Sequence, residues 1–254
     1  IVKSYWAKQK GIDPEDIFVV SIMPCTAKKS EIVRIENRTS ACADVDAVLT
    51  TREAARLIRL FGIDFTSLPD EMFDQDLMGD YTGAGVIFGA TGGVMEAALR
   101  TLKQKLEHVK LEKVDFQACR GLQGVKEAEV DLAGQKLQIA ITSGMQAAKP
   151  LLEEVKNGTS PYTFIEVMGC PGGCINGGGQ SIIPSRIKNG SDDDYRQRRM
   201  QALYEEDAQC AIRISSDNPQ IQKLYADFLM EPGSERAEEL LHTSYTEKPR
   251  FHKL

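Results

Sequence analysis

Cys170 and Cys174 stand four positions apart in the run Cys170-Pro171-Gly172-Gly173-Cys174-Ile175-Asn176-Gly177-Gly178-Gly179. Thiolates are the usual ligands of iron–sulfur clusters. Glycines around them remove Cβ atoms that would collide with an inorganic core and let backbone N–H groups turn toward anionic sulfides. Two cysteines make half a site, for a structural zinc or for a cubane cluster. Two incidental thiols in a turn remain the bland alternative. A redox pair fits less well, because three residues rather than two separate the thiols.

Cys25 is the third thiol with a chemical setting. It follows Met23-Pro24 at the end of the apolar run Phe18 to Met23 and precedes Thr26-Ala27-Lys28-Lys29-Ser30-Glu31. The apolar run reads as a fully buried strand. Ligands of α/β sheets gather at the carboxyl ends of strands. Phe164 to Met168 is a second such strand, and it feeds Cys170. Met23/Cys25 and Met168/Cys170 therefore predict two strand ends converging on one centre, with Lys28 a cation beside it.

The glycine-rich stretch from Gly83 to Gly93 approaches a dinucleotide fingerprint, but the residues before it, Met78 to Thr82, make a poor strand. The alternative is close backbone approach, with Phe88 presented beside it.

The elements that must position these residues alternate between strand and helix, which predicts an α/β fold with mixed or parallel sheets flanked by helices. Asp46 to Leu49 reads as a short strand. Thr50 or Thr51 then caps a helix with Ala54, Leu57, Ile58 and Phe61 on one face. Asp64 to Asp80 holds six acids and no Lys or Arg, the pattern of a solvated loop. A helix is expected from about Val94 to Leu106, a strand at Phe116 to Cys119, a hairpin around Ala133-Gly134, and a helix from Met145 to Lys156. After Gly190, polar amphipathic helices at Asp192 to Asp207, Pro219 to Leu229 and Ser234 to Leu241 form a C-terminal wrap. The expected division is 1–185 and 186–254.

The chain has 254 residues, 42 % hydrophobic and 27 % charged, with a net charge of −6. It has no apolar run long enough for a transmembrane helix. The acidic balance argues against nucleic-acid or membrane-surface partners. Six cysteines in this length are too sparse for a disulfide scaffold. The first ten residues read as the middle of a longer domain.

Ser21-Ile22-Met23-Pro24-Cys25-Thr26-Ala27-Lys28-Lys29-x-Glu31 resembles one signature of the [FeFe]-hydrogenases. Glu166-x-Met168-x-Cys170-x-x-Gly173-Cys174-x-x-Gly177-Gly178-Gly179 resembles another, and Phe88 to Glu96 a further segment of their catalytic domain. Asn218 to Tyr225 and Leu240 to Tyr245 resemble the region that some members carry as a separate small subunit.

The resemblance implies a two-lobed, here incomplete, hydrogenase-like core. It implies Cys25, Cys170 and Cys174 as ligands of the [4Fe–4S] part of an H-cluster. Cys174 would also bridge to a diiron subsite that carries CO, cyanide and a dithiolate. Lys28 would donate to a cyanide, Met23, Met168 and Phe88 would pack around the diiron site, and Glu31 would lie on a proton path. The activity implied is reversible reduction of protons to H2 with a ferredoxin-type donor, in the cytoplasm or else in an anaerobic organelle or the periplasm. The non-catalytic alternatives are a cluster-assembly or H2-sensing relative. The family's Thr-Ser-Cys-Cys-Pro signature, which supplies the fourth ligand and a proton-shuttling cysteine, is not in these residues. Cys42 lies after the Cys25 signature and is no substitute by position, and Cys119 and Cys210 are not favoured as replacement ligands. The expected partners are therefore an electron carrier and an upstream half of the domain, or a complementary subunit.

Overall fold

A computed structural model of the chain describes residues 1–39, 42–71, 78–107, 114–122 and 124–246. Part of the acidic stretch 64–80 and the residues Ser40-Ala41 before Cys42 lie outside them. A turn of π-helix and α1 (Ala7–Lys10) open the chain, followed by β1 (Val20–Met23), α2 (Lys28–Glu31), β2 (Arg38–Thr39), β3 (Cys42–Ala43) and β4 (Ala47–Thr50). Then come α3 (Thr51–Leu60), α4 (Gly83–Val86), α5 (Gly93–Glu107), β5 (Val125–Leu132), β6 (Gln135–Ser143), α6 (Met145–Asn157) and β7 (Phe164–Met168). The chain continues through α7 (Asp192–Gln209), α8 (Pro219–Leu224) and α9 (Glu235–Leu241). The fold is α/β with mixed sheets, as the alternation predicts.

The chain forms two compact units: 1–23 with 27–49 and 223–254, and 24–26 with 50–222. In the first, β1 pairs with β4, and β2 with β3 in a short antiparallel ladder. Lys3 is buried and donates to both oxygens of Asp46 at 2.8 and 2.9 Å. Asp46 also accepts from the Val19 amide at 2.7 Å, and these bonds to Lys3 and Val19 hold its carboxyl below the usual range. The run Phe18 to Met23 is not the fully buried strand expected. Phe18 is 73 % and Ile22 63 % exposed. β1 belongs to a two-stranded sheet, so alternate side chains face outward instead of lying between two covered faces.

The second unit is built on a three-stranded sheet in the order β5-β6-β7. β5 and β6 are antiparallel from Val125↔Thr142 to Leu132↔Gln135. Their two-residue turn, Ala133-Gly134, has φ of +52° and +78°, the left-handed geometry that matches strand twist in tight hairpins. β7 runs parallel to β6, with Ile139↔Phe164 through Ser143↔Met168. Met95 and Leu99 of α5 pack on Val130, Leu132, Ile139 and Ile141 of the hairpin, with Cys119 beside them. Residues 117–119 form a 3-10 turn, not the strand expected of Phe116 to Cys119, and the turn buries the Cys119 thiol in this core.

α3 forms as its sequence asks. Thr50 and Glu53 make a reciprocal capping box at its start, worth about 1 kcal/mol. None of its residues is buried, so the expected apolar face stays open. α7 is more than a surface wrap. Arg100 of α5, fully buried, donates at 2.7 and 2.8 Å to Asp207 of α7 and at 2.8 Å to Glu96. Asp207 also pairs with Arg213 at 2.5 Å. Gly83 lies so close to Asp207 that a Cβ there would overlap its carboxylate. The expected helix at Pro219 to Leu229 ends at Leu224 and continues as a π turn to Leu229, after which Met230 takes φ +68°.

Candidate functional site

In the second unit, β7 ends at Met168, whose carbonyl accepts from Gly144 at 2.7 Å. The chain then turns through Cys170. The Gly173 amide donates back to the Cys170 carbonyl at 2.9 Å, closing the turn that carries Cys174. Gly173 has φ +95°, and a Cβ there would stand 2.7 Å from both the Gly89 carbonyl oxygen and the Thr91 nitrogen. Thr91 donates its amide to the Gly172 carbonyl at 3.1 Å. The Cys170–Cys174 turn is thus seated on the segment that follows Phe88.

The same loop is seated on the Cys25 turn. The Gly179 amide donates to the Pro24 carbonyl at 3.0 Å. A Cβ on Gly177 would overlap that carbonyl, and one on Gly178 would stand 3.0 Å from the Thr26 hydroxyl. Ile175 anchors the loop from beneath, packed with Ala90 and with Met200 of α7. Cys25, Cys170 and Cys174 are all half-buried, and no disulfide forms among the six cysteines.

A residue that the sequence places in a signature but to which it assigns no role joins these pieces. Glu166 is the buried residue of β7, whose apolar neighbours Phe164 and Val167 are 47 % and 38 % exposed. The strand is therefore not the buried one expected; it has β6 on one side and lies at the sheet edge. The Glu166 carboxylate accepts from the amides of Gly92 at 2.6 Å and Met95 at 2.7 Å, at the start of α5. Burial pushes its carboxyl above the usual range, opposed by those two bonds and by the charge of Lys126. The signal for it is an acid placed inside an apolar strand.

The glycines of 83–93 serve close packing. A Cβ at Gly92 would overlap the Cys119 carbonyl, one at Gly93 the Ile87 carbonyl, and one at Gly89 would stand 2.8 Å from Leu203. The described residues just before them, 78–82, form no strand, and Gly83–Val86 is a helical turn, so the dinucleotide geometry is not formed. Phe88 is 46 % exposed and borders an open pocket of 420 Å³ with Val94 and Ala98.

In the first unit, Met23, Lys28 and Glu31 line a cavity of 290 Å³ with Ser21, Asn37 and Val48. Lys28 donates to both carboxylate oxygens of Glu31 at 2.7 Å. Their side chains are 37 % and 41 % exposed. The two residues expected to do separate work are joined in one ion pair.

The remaining cysteines lie elsewhere. Burial pushes the Cys119 thiol up to about 12, so it packs as a small protonated side chain. Burial and the nearby Glu206 and Asp207 carboxylates also raise Cys210. Cys42 sits in β3 of the first unit. Among the described residues, no three His, Cys, Asp or Glu side chains are grouped to hold one metal ion.

Residues 1–178 match the family model for the C-terminal domain of the iron-only hydrogenase large subunit, and residues 193–248 that of the iron hydrogenase small subunit. The chain belongs to the iron-only hydrogenase family. It is 46 % identical over 251 residues to a protein named NADP-reducing hydrogenase subunit HndD from Solidesulfovibrio fructosivorans, covering 99 % of this chain and 42 % of that one. It is 33 % identical to mouse cytosolic iron-sulfur assembly component 3, over 98 % of this chain and 52 % of the relative. A solved variant of [FeFe]-hydrogenase HydA1 from Chlamydomonas reinhardtii superposes with a TM-score of 0.74 at 35 % identity, covering 96 % of this chain and 67 % of that one. The chain thus spans about half the length or less of these curated relatives. The family implies iron–sulfur chemistry, and three half-buried thiols, two on a glycine-rich loop and one on the Pro24–Thr26 turn bonded to that loop, fit it. Among the described residues, no helix is long and apolar enough to cross a membrane.

Proposed function

We propose that this chain is part of the catalytic domain of an iron hydrogenase, which reduces protons to H2 reversibly with electrons from a ferredoxin-type carrier. The observation that carries this reading is the seating of the Cys170–Cys174 loop on both the Pro24–Thr26 turn and the segment after Phe88. Cys25, Cys170 and Cys174 are the proposed ligands of a [4Fe–4S] cluster, with Cys174 also reaching a diiron subsite. Each thiol would bind a different iron of such a cluster, so the three need not gather around one ion.

When bound, the metal centre supplies the electron and proton chemistry; the chain holds, shields and feeds it. Met168 and Phe88 are proposed to pack beside the diiron subsite, and Met23 with them. Lys28 is proposed as a hydrogen-bond donor to that subsite. Its partner Glu31 would take up and release protons. The paired geometry supports a shared task, since each move of a proton at the Glu31 oxygens changes the charge that Lys28 feels.

The matches at 1–178 and 193–248 support a division into a cluster-binding part, 1–185, and a small-subunit-like part, 186–254. A complementary segment or subunit is proposed to bring the fourth ligand, and the cytoplasm is the proposed location, with an anaerobic organelle or the periplasm as alternatives.

The mouse assembly component favours a second reading, in which the chain serves cluster assembly without turnover. Maturation with the diiron cofactor in the presence of the complementary segment that carries the fourth ligand, followed by infrared spectroscopy and an H2 assay, separates the two. Cyanide and CO bands with H2 production support the enzyme. A [4Fe–4S] spectrum with no such bands supports the second reading.

A further inference from the structure

Two guanidinium groups hold the backbone that leaves Cys174. Arg199, on α7, donates to the Ile175 carbonyl at 3.0 Å and to the Ser181 carbonyl at 2.9 Å. Arg52, in the first turn of α3, donates to the Gly178 carbonyl at 2.8 Å and to the Gln180 carbonyl at 3.3 Å. The Arg52 amide adds a bond to the Gly179 carbonyl at 3.3 Å. Five carbonyls between residues 175 and 181 therefore accept hydrogen bonds from these two arginines.

Both arginines line an open pocket of 240 Å³, with Asn176, Gly178, Tyr195 and Arg196. Arg196 is neutralised by Asp193 at 2.5 Å. Arg52 and Arg199 are not: among the described residues, the partners of both guanidiniums are carbonyl oxygens. A carbonyl orients a cation without cancelling its charge. Two positive charges thus stand behind the loop, and one of them is bonded to the residue next to Cys174.

We infer that Arg52 and Arg199 are positioning residues that fix the loop after Cys174 and raise the reduction potential of an iron–sulfur cluster bound there; this rests on the function proposed above. A thiolate-bound cluster gains negative charge on reduction, so a fixed nearby cation favours the reduced form. Arg199, the half-buried one, is screened less by solvent than Arg52, which is exposed. Its share of the effect is the larger.

The test uses the full 254-residue chain, reconstituted without oxygen with ferrous iron and sulfide. Wild type, R52Q, R199Q, R52K and R199K are titrated with dithionite while the reduced cluster is followed by electron paramagnetic resonance. Amide exchange over residues 175–181 is measured on the same proteins before reconstitution. The glutamine variants should titrate at more negative potentials, R199Q by more than R52Q, and should exchange faster in the loop. The lysine variants keep the charge and should stay near wild type in potential. Glutamine variants that titrate with wild type overturn the inference, whatever the loop does. A wild-type chain that takes up no cluster overturns the proposed function as well, and the two failures are told apart by that first observation.

Discussion

The carboxylate of Glu166 stands 2.6 Å from the amide of Gly92, and so the strand that leads to Cys170 is bonded to the start of the helix that follows Phe88. Its second oxygen takes the Met95 amide at 2.7 Å. One buried acid thereby satisfies two of the amides that a helix start leaves without intrahelical partners. Glutamine at this position has one acceptor oxygen, and its NH2 would face the other amide. E166Q should cost about 1–3 kcal/mol, the penalty for a buried polar group left unsatisfied. Chemical denaturation measures the loss, and amide exchange at 92–95 should rise with it. Unchanged exchange there would show that the helix start is held by other means.

The Gly177 and Pro24 pair makes a sharper demand. A Cβ at Gly177 overlaps the Pro24 carbonyl, which is backbone and cannot swing aside. G177A should push the Cys174 loop off the Cys25 turn and lower iron retention after reconstitution at least several-fold, with the far-ultraviolet circular dichroism kept. G124A is the control, because a Cβ at Gly124 meets nothing within 4 Å. Equal iron in G177A and G124A would contradict the arrangement.

Acid should loosen the α5–α7 junction through Asp207. Burial pushes its carboxyl up, but the guanidiniums of Arg100 and Arg213 outweigh this and hold it below the usual 3.8. A carboxylate lowered on folding contributes stability that is present above its unfolded value and lost as pH falls through the folded one. D207N removes one partner of a buried pair and should cost about 3–5 kcal/mol at neutral pH. The gap between D207N and wild type should narrow as pH drops below about 4, where the wild-type carboxylate begins to protonate in the unfolded chain. Urea unfolding at several pH values reads this directly; a gap independent of pH down to about 2, well below the unfolded carboxyl value, would be the contrary result.

Lys28 and Glu31 are more than a third exposed, and such pairs contribute about 0–1 kcal/mol. E31Q should therefore unfold close to wild type. In the matured protein it should leave the cofactor spectrum intact and cut turnover. Loss of the cofactor signal would instead assign Glu31 a structural task.

The hairpin at Ala133-Gly134, the cap of α3 and the cysteine loop are legible in the sequence because each rests on local rules: turn geometry, a capping box, glycines beside thiols. Burial is less so. Phe18, Ile22 and Phe164 are apolar and strand-forming, yet exposed, because the number of strands beside them is a property of the whole sheet. Glu166 and Arg100 are polar and buried for the converse reason, since their partners, Gly92 and Asp207, lie 74 and 107 residues away. The glycines of 83–93 approach a dinucleotide fingerprint in sequence but lack the strand it needs, and the close backbone approach read as the alternative is what they make, against Cys119, Ile87 and Leu203.

The central claim is that Cys25, Cys170 and Cys174 together hold one [4Fe–4S] cluster. Iron and sulfide analysis with electron paramagnetic resonance of the reduced, reconstituted chain tests it most directly, in wild type and in C25S, C170S and C174S. Wild type should carry one cubane per chain with its characteristic signal, and each serine variant should lose most of it, while C119S and C210S keep it. A chain that binds no cluster, or serine variants at 25, 170 and 174 that keep the wild-type signal, would contradict the account.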